Sequence, residues 1–319
     1  NFEHFKPFPL VTNGRLQTIV GHLLHLPRTL QSEQIKIPLG DGDQLSCELS
    51  FPKNWDSKTP IIFMIHGLGG SADSSYMRRI TKKLLANKLA VVRINLRNAG
   101  SGFGLAKTPY HAGSSEDILP VLNAMKEKYP QTPFVILGFS LGANIALKLA
   151  GELKSKAKDY LKEVIAINTP VDIHETVKLF NKPECRIFEK RYVHYMYKTA
   201  SLRYKIFPEL GTLKIPKNLR FIEFDAIYTA PNGGFSSAFD YYEKASCKSV
   251  LKDIQIPAKM LFAADDPFVN YKSFQQHLAN PNLDICITKH GGHLGFLSNP
   301  LSNPKSLRWL DHRILEWLI

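Results

Sequence analysis

The segment Phe134-Val-Ile-Leu-Gly138-Phe139-Ser140-Leu141-Gly142-Ala143-Asn144 runs from an apolar, β-rich stretch through G-x-S-x-G into a stretch of helical character. A serine at such a strand-to-helix elbow needs glycine on both sides, because a Cβ there would collide with the adjoining strand and helix. The hydroxyl is then held out at the edge of a sheet. G-x-S-x-G alone arises readily by chance. Its flanks make Ser140 a candidate nucleophile rather than a residue that merely caps a helix.

The surrounding 319 residues fit that local geometry. Short apolar runs, Ile61–Ile65, Ala90–Ile94, Phe134–Leu137, Val164–Asn168 and Lys259–Ala263, alternate with helical stretches at Ser75–Asn87, Ser115–Lys128 and Leu141–Leu153. That alternation predicts a mostly parallel sheet covered by helices on both faces. Ile35–Leu49, broken by Gly40-Asp41-Gly42-Asp43, reads as an antiparallel hairpin, and Lys305–Ile319 as a closing amphipathic helix. From about Pro170 to Lys248 the alternation lapses, and basic and aromatic residues crowd in, among them Arg186, Lys190, Arg191, Tyr192, Tyr195 and Arg203. We read residues 1–319 as a single α/β domain with residues 170–248 inserted as a helical cap over the carboxyl ends of the strands, where ligands bind in such sheets.

A serine hydroxyl is weakly nucleophilic until a base takes its proton, so Ser140 calls for a downstream histidine and a carboxylate between them. Ala264-Asp265-Asp266-Pro267-Phe268-Val269 follows one strand, and His290-Gly291-Gly292-His293-Leu294-Gly295-Phe296 follows another near Leu283–Thr288. Asp266 begins the loop leading to Pro267 and Val269 and is preferred as the orienting acid, with Asp265 left a turn or supporting role. His293 lies in the glycine-rich loop and is preferred as the base, with His290 bonding locally. The oxyanion formed on attack needs preorganised donors, and the backbone N–H groups of Leu68, in His66-Gly67-Leu68-Gly69-Gly70, and of Leu141 are assigned to it. The glycine-rich turn has neither the Lys-Ser/Thr of a P-loop nor the G-x-G-x-x-G spacing of a dinucleotide site.

The net charge of +13 favours anionic partners. No nucleic-acid-binding module is visible, and the basic residues are spread along the chain. His22 and His25 and the other histidines form no ligand set, so no metal and no cofactor is expected. The four cysteines are far apart and suggest a reducing, cytoplasmic compartment. No apolar run approaches the roughly 18 to 20 residues that span a bilayer, so contact with a membrane is expected to be peripheral, at an anionic surface. The chain begins at Asn1 rather than Met, which leaves room for a removed upstream segment.

Several further segments add to the elbow: Asn13-Gly14-Arg15-Leu16-Gln17-Thr18-Ile19, Asn95-Leu96-Arg97, Tyr110-His111-Ala112-Gly113, Phe224-Asp225, Thr229-Ala230-Pro231-Asn232-Gly233-Gly234-Phe235 and Asp240-Tyr241-Tyr242. With His66–Gly70, Gly138–Asn144, Asp265–Phe268 and Gly291–Phe296 they run over nearly the whole chain. In these the sequence resembles the YheT-like branch of the α/β hydrolases, a group that includes eukaryotic abhydrolase-domain lipases and yeast medium-chain acyl-CoA:ethanol acyltransferases. The resemblance implies an α/β-hydrolase fold, a Ser140/Asp266/His293 triad and chemistry on carboxylic esters. Two positions depart from the family pattern: Arg15 stands where His is usual, and Asn98 follows Arg97 where Gly is usual.

The function expected is that of a serine carboxylesterase or lipase-like hydrolase acting on short- to medium-chain acyl esters, small or lipidic, through a covalent acyl-serine. An acyltransferase, in which an alcohol resolves the same intermediate, and a non-catalytic binding module that keeps the fold are the alternatives.

Overall fold

Ile61, Phe63 and Ile65 pack to one side of the strand they form, and Ile62 and Met64 to the other; all five are fully buried. The side-chain period of a strand divides its residues between two faces, and a run that is apolar throughout can rest only where both faces are covered. In a computed structural model that describes residues 5–24, 30–273, 280–301 and 307–319, this strand lies within an eight-stranded sheet. The strands are β1 Glu33–Pro38, β2 Gln44–Ser50, β3 Ile61–Ile65, β4 Ala90–Asn95, β5 Phe134–Phe139, β6 Leu161–Ile167, β7 Ala258–Ala263 and β8 Leu283–Thr288. Their order is β1-β2-β4-β3-β5-β6-β7-β8. β2 runs antiparallel to β1 and to β4, and each remaining neighbouring pair is parallel.

The helices described are α1 Gly14–Leu23, α2 Ser75–Ala86, α3 Ile118–Lys128, α4 Leu141–Leu153, α5 Ala157–Tyr160, α6 Ile173–Phe180, α7 Arg186–Ile206, α8 Phe221–Phe224, α9 Ala230–Asn232, α10 Ala238–Ala245 and α11 Trp309–Leu318. Ile118, Leu122 and Met125 of α3 and Ile145 and Leu149 of α4 join the core on the Phe63 side. Met77, Ile80 and Leu84 of α2 and Leu310 and Ile314 of α11 join it on the Met64 side.

The hairpin is formed by β1 and β2, with the Leu39 N–H bonded to the Asp43 carbonyl at 2.8 Å. The second crossover helix, α3, starts at Ile118 rather than Ser115, because Ser114, Ser115 and Asp117 are occupied in a turn whose Asp117 carboxylate holds Arg97 at 2.6 and 2.7 Å. The closing helix begins at Trp309, and positions 305 and 306 of its expected range lie outside the described residues.

Between the end of β6 and the start of β7 the chain carries helices joined by loops and, among the described residues, no strand, with one π-helical turn at Asp225–Thr229. Three basic residues of this stretch are held by internal partners. Arg203 is 3 % exposed; it donates to the Lys107 carbonyl, the Tyr228 hydroxyl and, at 2.8 Å, Asn232 Oδ1. Arg186 and Arg220 both donate to the fully buried Glu189 carboxylate, at 2.6 and 2.9 Å, and the Phe221 N–H adds a third donor. A buried charge left unpaired is costly; these contacts satisfy it while pinning α7 to the start of α8.

Candidate active site

The carboxyl ends of β3, β5, β7 and β8 carry the four candidate segments, at the edge of a parallel sheet where ligands commonly bind. Ser140 follows β5 with φ of 52° and ψ of −119°, a sparsely populated conformation that costs on the order of 1–3 kcal/mol and persists only where its surroundings enforce it. The enforcement is steric. A Cβ on Gly138 would lie 2.5 Å from Ala143 Cα, and one on Gly142 would lie 2.4 Å from the Ile65 carbonyl oxygen.

The structure brings Ser140, His293 and Asp266 into one hydrogen-bonded chain. His293 Nε2 is 2.9 Å from Ser140 Oγ, and His293 Nδ1 is 2.8 Å from Asp266 Oδ2. Asp266 is fixed from three further directions: Asn168 Nδ2 donates to Oδ2 at 2.7 Å, and the N–H groups of Phe268 and Val269 donate to Oδ1 at 2.8 and 3.2 Å. The Phe268 ring meets the His293 imidazole edge-on at 5.0 Å.

Asp265 is set apart from this chain. Its Oδ1 accepts the Gly292 N–H at 2.9 Å, and its Oδ2 is 3.4 Å from His290 Nδ1. Burial pushes its carboxyl above the usual carboxylate range, against the opposing pull of the Gly292 N–H. His290 thus bonds locally, as expected. The His293 loop is itself braced by α1: Thr18 Oγ1 accepts the His293 N–H at 2.9 Å, and a Cβ on Gly292 would come within 2.1 Å of the Gly14 carbonyl oxygen.

On the other side of Ser140 lies the turn after β3. The Gly67 N–H donates to the Tyr76 hydroxyl at 3.0 Å, the Gly69 N–H to the Tyr110 hydroxyl at 3.1 Å, and the Gly70 N–H to the Gly67 carbonyl at 3.0 Å. These bonds fix the turn around the Leu68 N–H, for which no acceptor is found among the described residues. Leu141 is the first residue of α4, and an N–H at that position has no intrahelical acceptor. His66 anchors the turn from inside. Burial holds its imidazole down at about 4, so it is neutral, with Nδ1 bonded to the Gly67 carbonyl at 2.8 Å and Nε2 accepting the Leu96 N–H at 3.2 Å.

A cavity opens in front of Ser140 and His293. Its walls are mainly apolar and aromatic: Leu68, Ile173, Val177, Phe180, Tyr192, Tyr195, Met196, Phe221, Phe224, Tyr228, Phe268 and Val269. Phe180 stacks on Phe221 and on Phe268 with centroids 5.2 and 4.7 Å apart, so the aromatic wall runs from the inter-strand helices to the triad's acid loop. Sequence reasoning missed Asn168, whose signal is only an asparagine at a strand end, and the part played by Asp225, which reaches this cavity from the π-helical turn. Among the described residues no three His, Cys, Asp or Glu side chains converge as a metal site, and no helix is long and apolar enough to cross a membrane.

Asp225 is fully buried, and burial pushes its carboxyl up to about 7 against the hydroxyl donors Thr229 and Tyr242. An acid whose native value is raised keeps its proton in the fold while the unfolded chain releases it, so stability is lost as pH climbs from about 4 to about 7. Asp225→Asn is expected to flatten that slope. Urea titrations of both proteins at about pH 5 and about pH 8 should find the variant gaining on the wild type by on the order of a few kcal/mol at the higher pH; an equal difference at both would contradict it.

Comparison with known proteins agrees with this architecture. Residues 60–300 match the family model described as alpha/beta hydrolase fold. The YheT protein of Escherichia coli K12 is 26 % identical over 98 % of this chain and 92 % of its own. A monoacylglycerol lipase of Saccharomyces cerevisiae is 27 % identical over 77 % of this chain, which spans 57 % of that lipase's length. The esterase Pf2001 of Pyrococcus furiosus superposes with a TM-score of 0.58 at 16 % identity, over 92 % of this chain and 96 % of its own.

Proposed function

The chain belongs to the alpha/beta hydrolase fold family, in its YheT-like branch, and on that premise we propose that it hydrolyses carboxylic esters through a covalent acyl-serine. The observation that carries this reading is the hydrogen-bonded chain from Ser140 Oγ through His293 to Asp266. The lipase relative in yeast adds support for ester hydrolysis in general.

In the proposed cycle Ser140 Oγ attacks the acyl carbon as His293 Nε2 takes its proton, and the N–H groups of Leu68 and Leu141 receive the oxyanion. His293 returns the proton to the departing alcohol oxygen. Water then attacks the acyl-serine, again deprotonated by His293, and collapse of the second tetrahedral intermediate releases the acid and restores Ser140. Asp266 holds the imidazole in the tautomer that presents a free Nε2 and stabilises the imidazolium.

The segment 170–248, as a cap, supplies the acyl pocket in this reading. Each methylene that enters an apolar pocket is worth up to about 0.8 kcal/mol, close to a fourfold gain in kcat/KM. A series of p-nitrophenyl esters should therefore climb steeply from acetate into the medium-chain range and then level or fall as the cavity fills. A flat profile would contradict a cap that binds the acyl chain.

A further inference from the structure

Helix α1 is inside out. At 100° per residue, Gly14, Gln17, Thr18 and Gly21 share one side, and Leu16, Ile19 and Leu23 share the opposite one. The side turned into the protein is the small and polar one. Gln17 is fully buried, its amide donating to the Val11 and Leu297 carbonyls and its Oε1 accepting the Leu297 N–H at 2.7 Å, while a Cβ on Gly21 would lie 2.8 Å from Gly295 Cα. The side turned to solvent is the apolar one, with Leu16 46 %, Ile19 41 % and Leu23 68 % exposed. A surface helix ordinarily does the reverse.

We propose that the outward face of α1, together with the adjoining stripe of α7, docks onto an anionic lipid bilayer surface. The two helices meet where Arg191 Nη2 is 2.8 Å from His22 Nε2. On α7 the exposed residues Ile187, Lys190, Arg191, His194 and Lys198 recur at helical spacing, and the helix's one acid, Glu189, is turned inward against Arg186 and Arg220. The exposed acid just before α7, Glu184, is answered by Arg15 at 3.6 Å. Isolated Leu and Ile side chains standing out from a convex helix, bordered by a stripe without acids, match an interface of acyl chains beneath anionic headgroups. A second copy of this chain fits less well, because it would bring a net charge of +13 against another +13. This docking does not depend on the ester-hydrolase reading, since none of these residues lines the cavity.

Flotation with equimolar phosphatidylcholine–phosphatidylglycerol vesicles tests it. The wild type should float with these vesicles and only weakly with pure phosphatidylcholine. Leu16→Ser/Ile19→Ser/Leu23→Ser should lose at least about tenfold in partitioning at every salt concentration. Lys190→Glu/Arg191→Glu should lose it at low salt and converge with the wild type as salt screens the charges. Both variants should turn over a small soluble ester as the wild type does. Should the serine variant fold poorly, Ile19→Trp decides: vesicles should shift the emission of the introduced indole to the blue, and brominated lipid should quench it. A serine variant that floats like the wild type, an Ile19→Trp emission unmoved by vesicles, or a wild type that ignores vesicles but forms a dimer that the serine variant cannot, would each overturn the proposal.

Discussion

Replacing Ser140 or His293 by alanine is expected to lower kcat for a carboxylic ester by on the order of 10⁴ to 10⁶, and replacing both is expected to cost little more. The two side chains are 2.9 Å apart and act in the proposed cycle as one proton-transfer unit. Once either is gone, the other has no partner to activate or to be activated by. What survives comes from the backbone donors at Leu68 and Leu141 and from binding in the cavity, which neither substitution touches. Single-turnover kinetics of the two single variants and the double variant check this. Losses that multiply in the double variant would mean that the residues act independently, contrary to the proposed cycle.

The second large effect separates adjacent carboxylates. Asp266→Asn should lower kcat by on the order of 10⁴, because the amide can turn its NH₂ toward His293 Nδ1 and leave the imidazole in the wrong tautomer, with its imidazolium unsupported. Asp265→Asn should stay within about tenfold of the wild type. Its amide oxygen can still accept the Gly292 N–H that the carboxylate accepts at 2.9 Å. Reversed magnitudes would make Asp265 the orienting acid and move the acid's place in the loop by one residue.

The elbow was legible because its requirement is local: Gly138 and Gly142 are demanded by backbone within a few residues or one strand away, and nothing else in the fold competes for those positions. The central strands β3 and β5 were legible because they are apolar throughout, as burial on both faces requires. Helix α1 escaped as a helix, although its residues stood out as a motif. Its buried face is Gly14, Gln17, Thr18 and Gly21, so hydrophobic periodicity points to the wrong side. The glycines of the His293 loop likewise answer to a remote cause, the α1 backbone pressed against Gly292 and Gly295.

The inter-strand helices hid their organisation for a related reason. Glu189 and Arg203 are charged residues in the interior, and a composition reading counts them as surface. Asn168 carries a single asparagine's worth of signal, yet it ties the Asp266 carboxylate to the Gly292 carbonyl across the two loops. Such pairings are set by which strand ends lie side by side in the sheet. The linear sequence does not contain that adjacency.

In the proposed cycle Ser140 is made nucleophilic by His293, and covalent labelling with a fluorophosphonate reads that activation. An activated serine attacks phosphorus and expels fluoride, leaving a stable adduct, whereas an ordinary surface serine does not react on that timescale. Mass spectrometry of the digested protein should find the phosphonyl group on the peptide containing Ser140, with labelling abolished in Ser140→Ala and slowed by orders of magnitude in His293→Ala. Unlabelled wild-type protein, a label on another residue, or undiminished labelling in His293→Ala would contradict activation of Ser140 by His293.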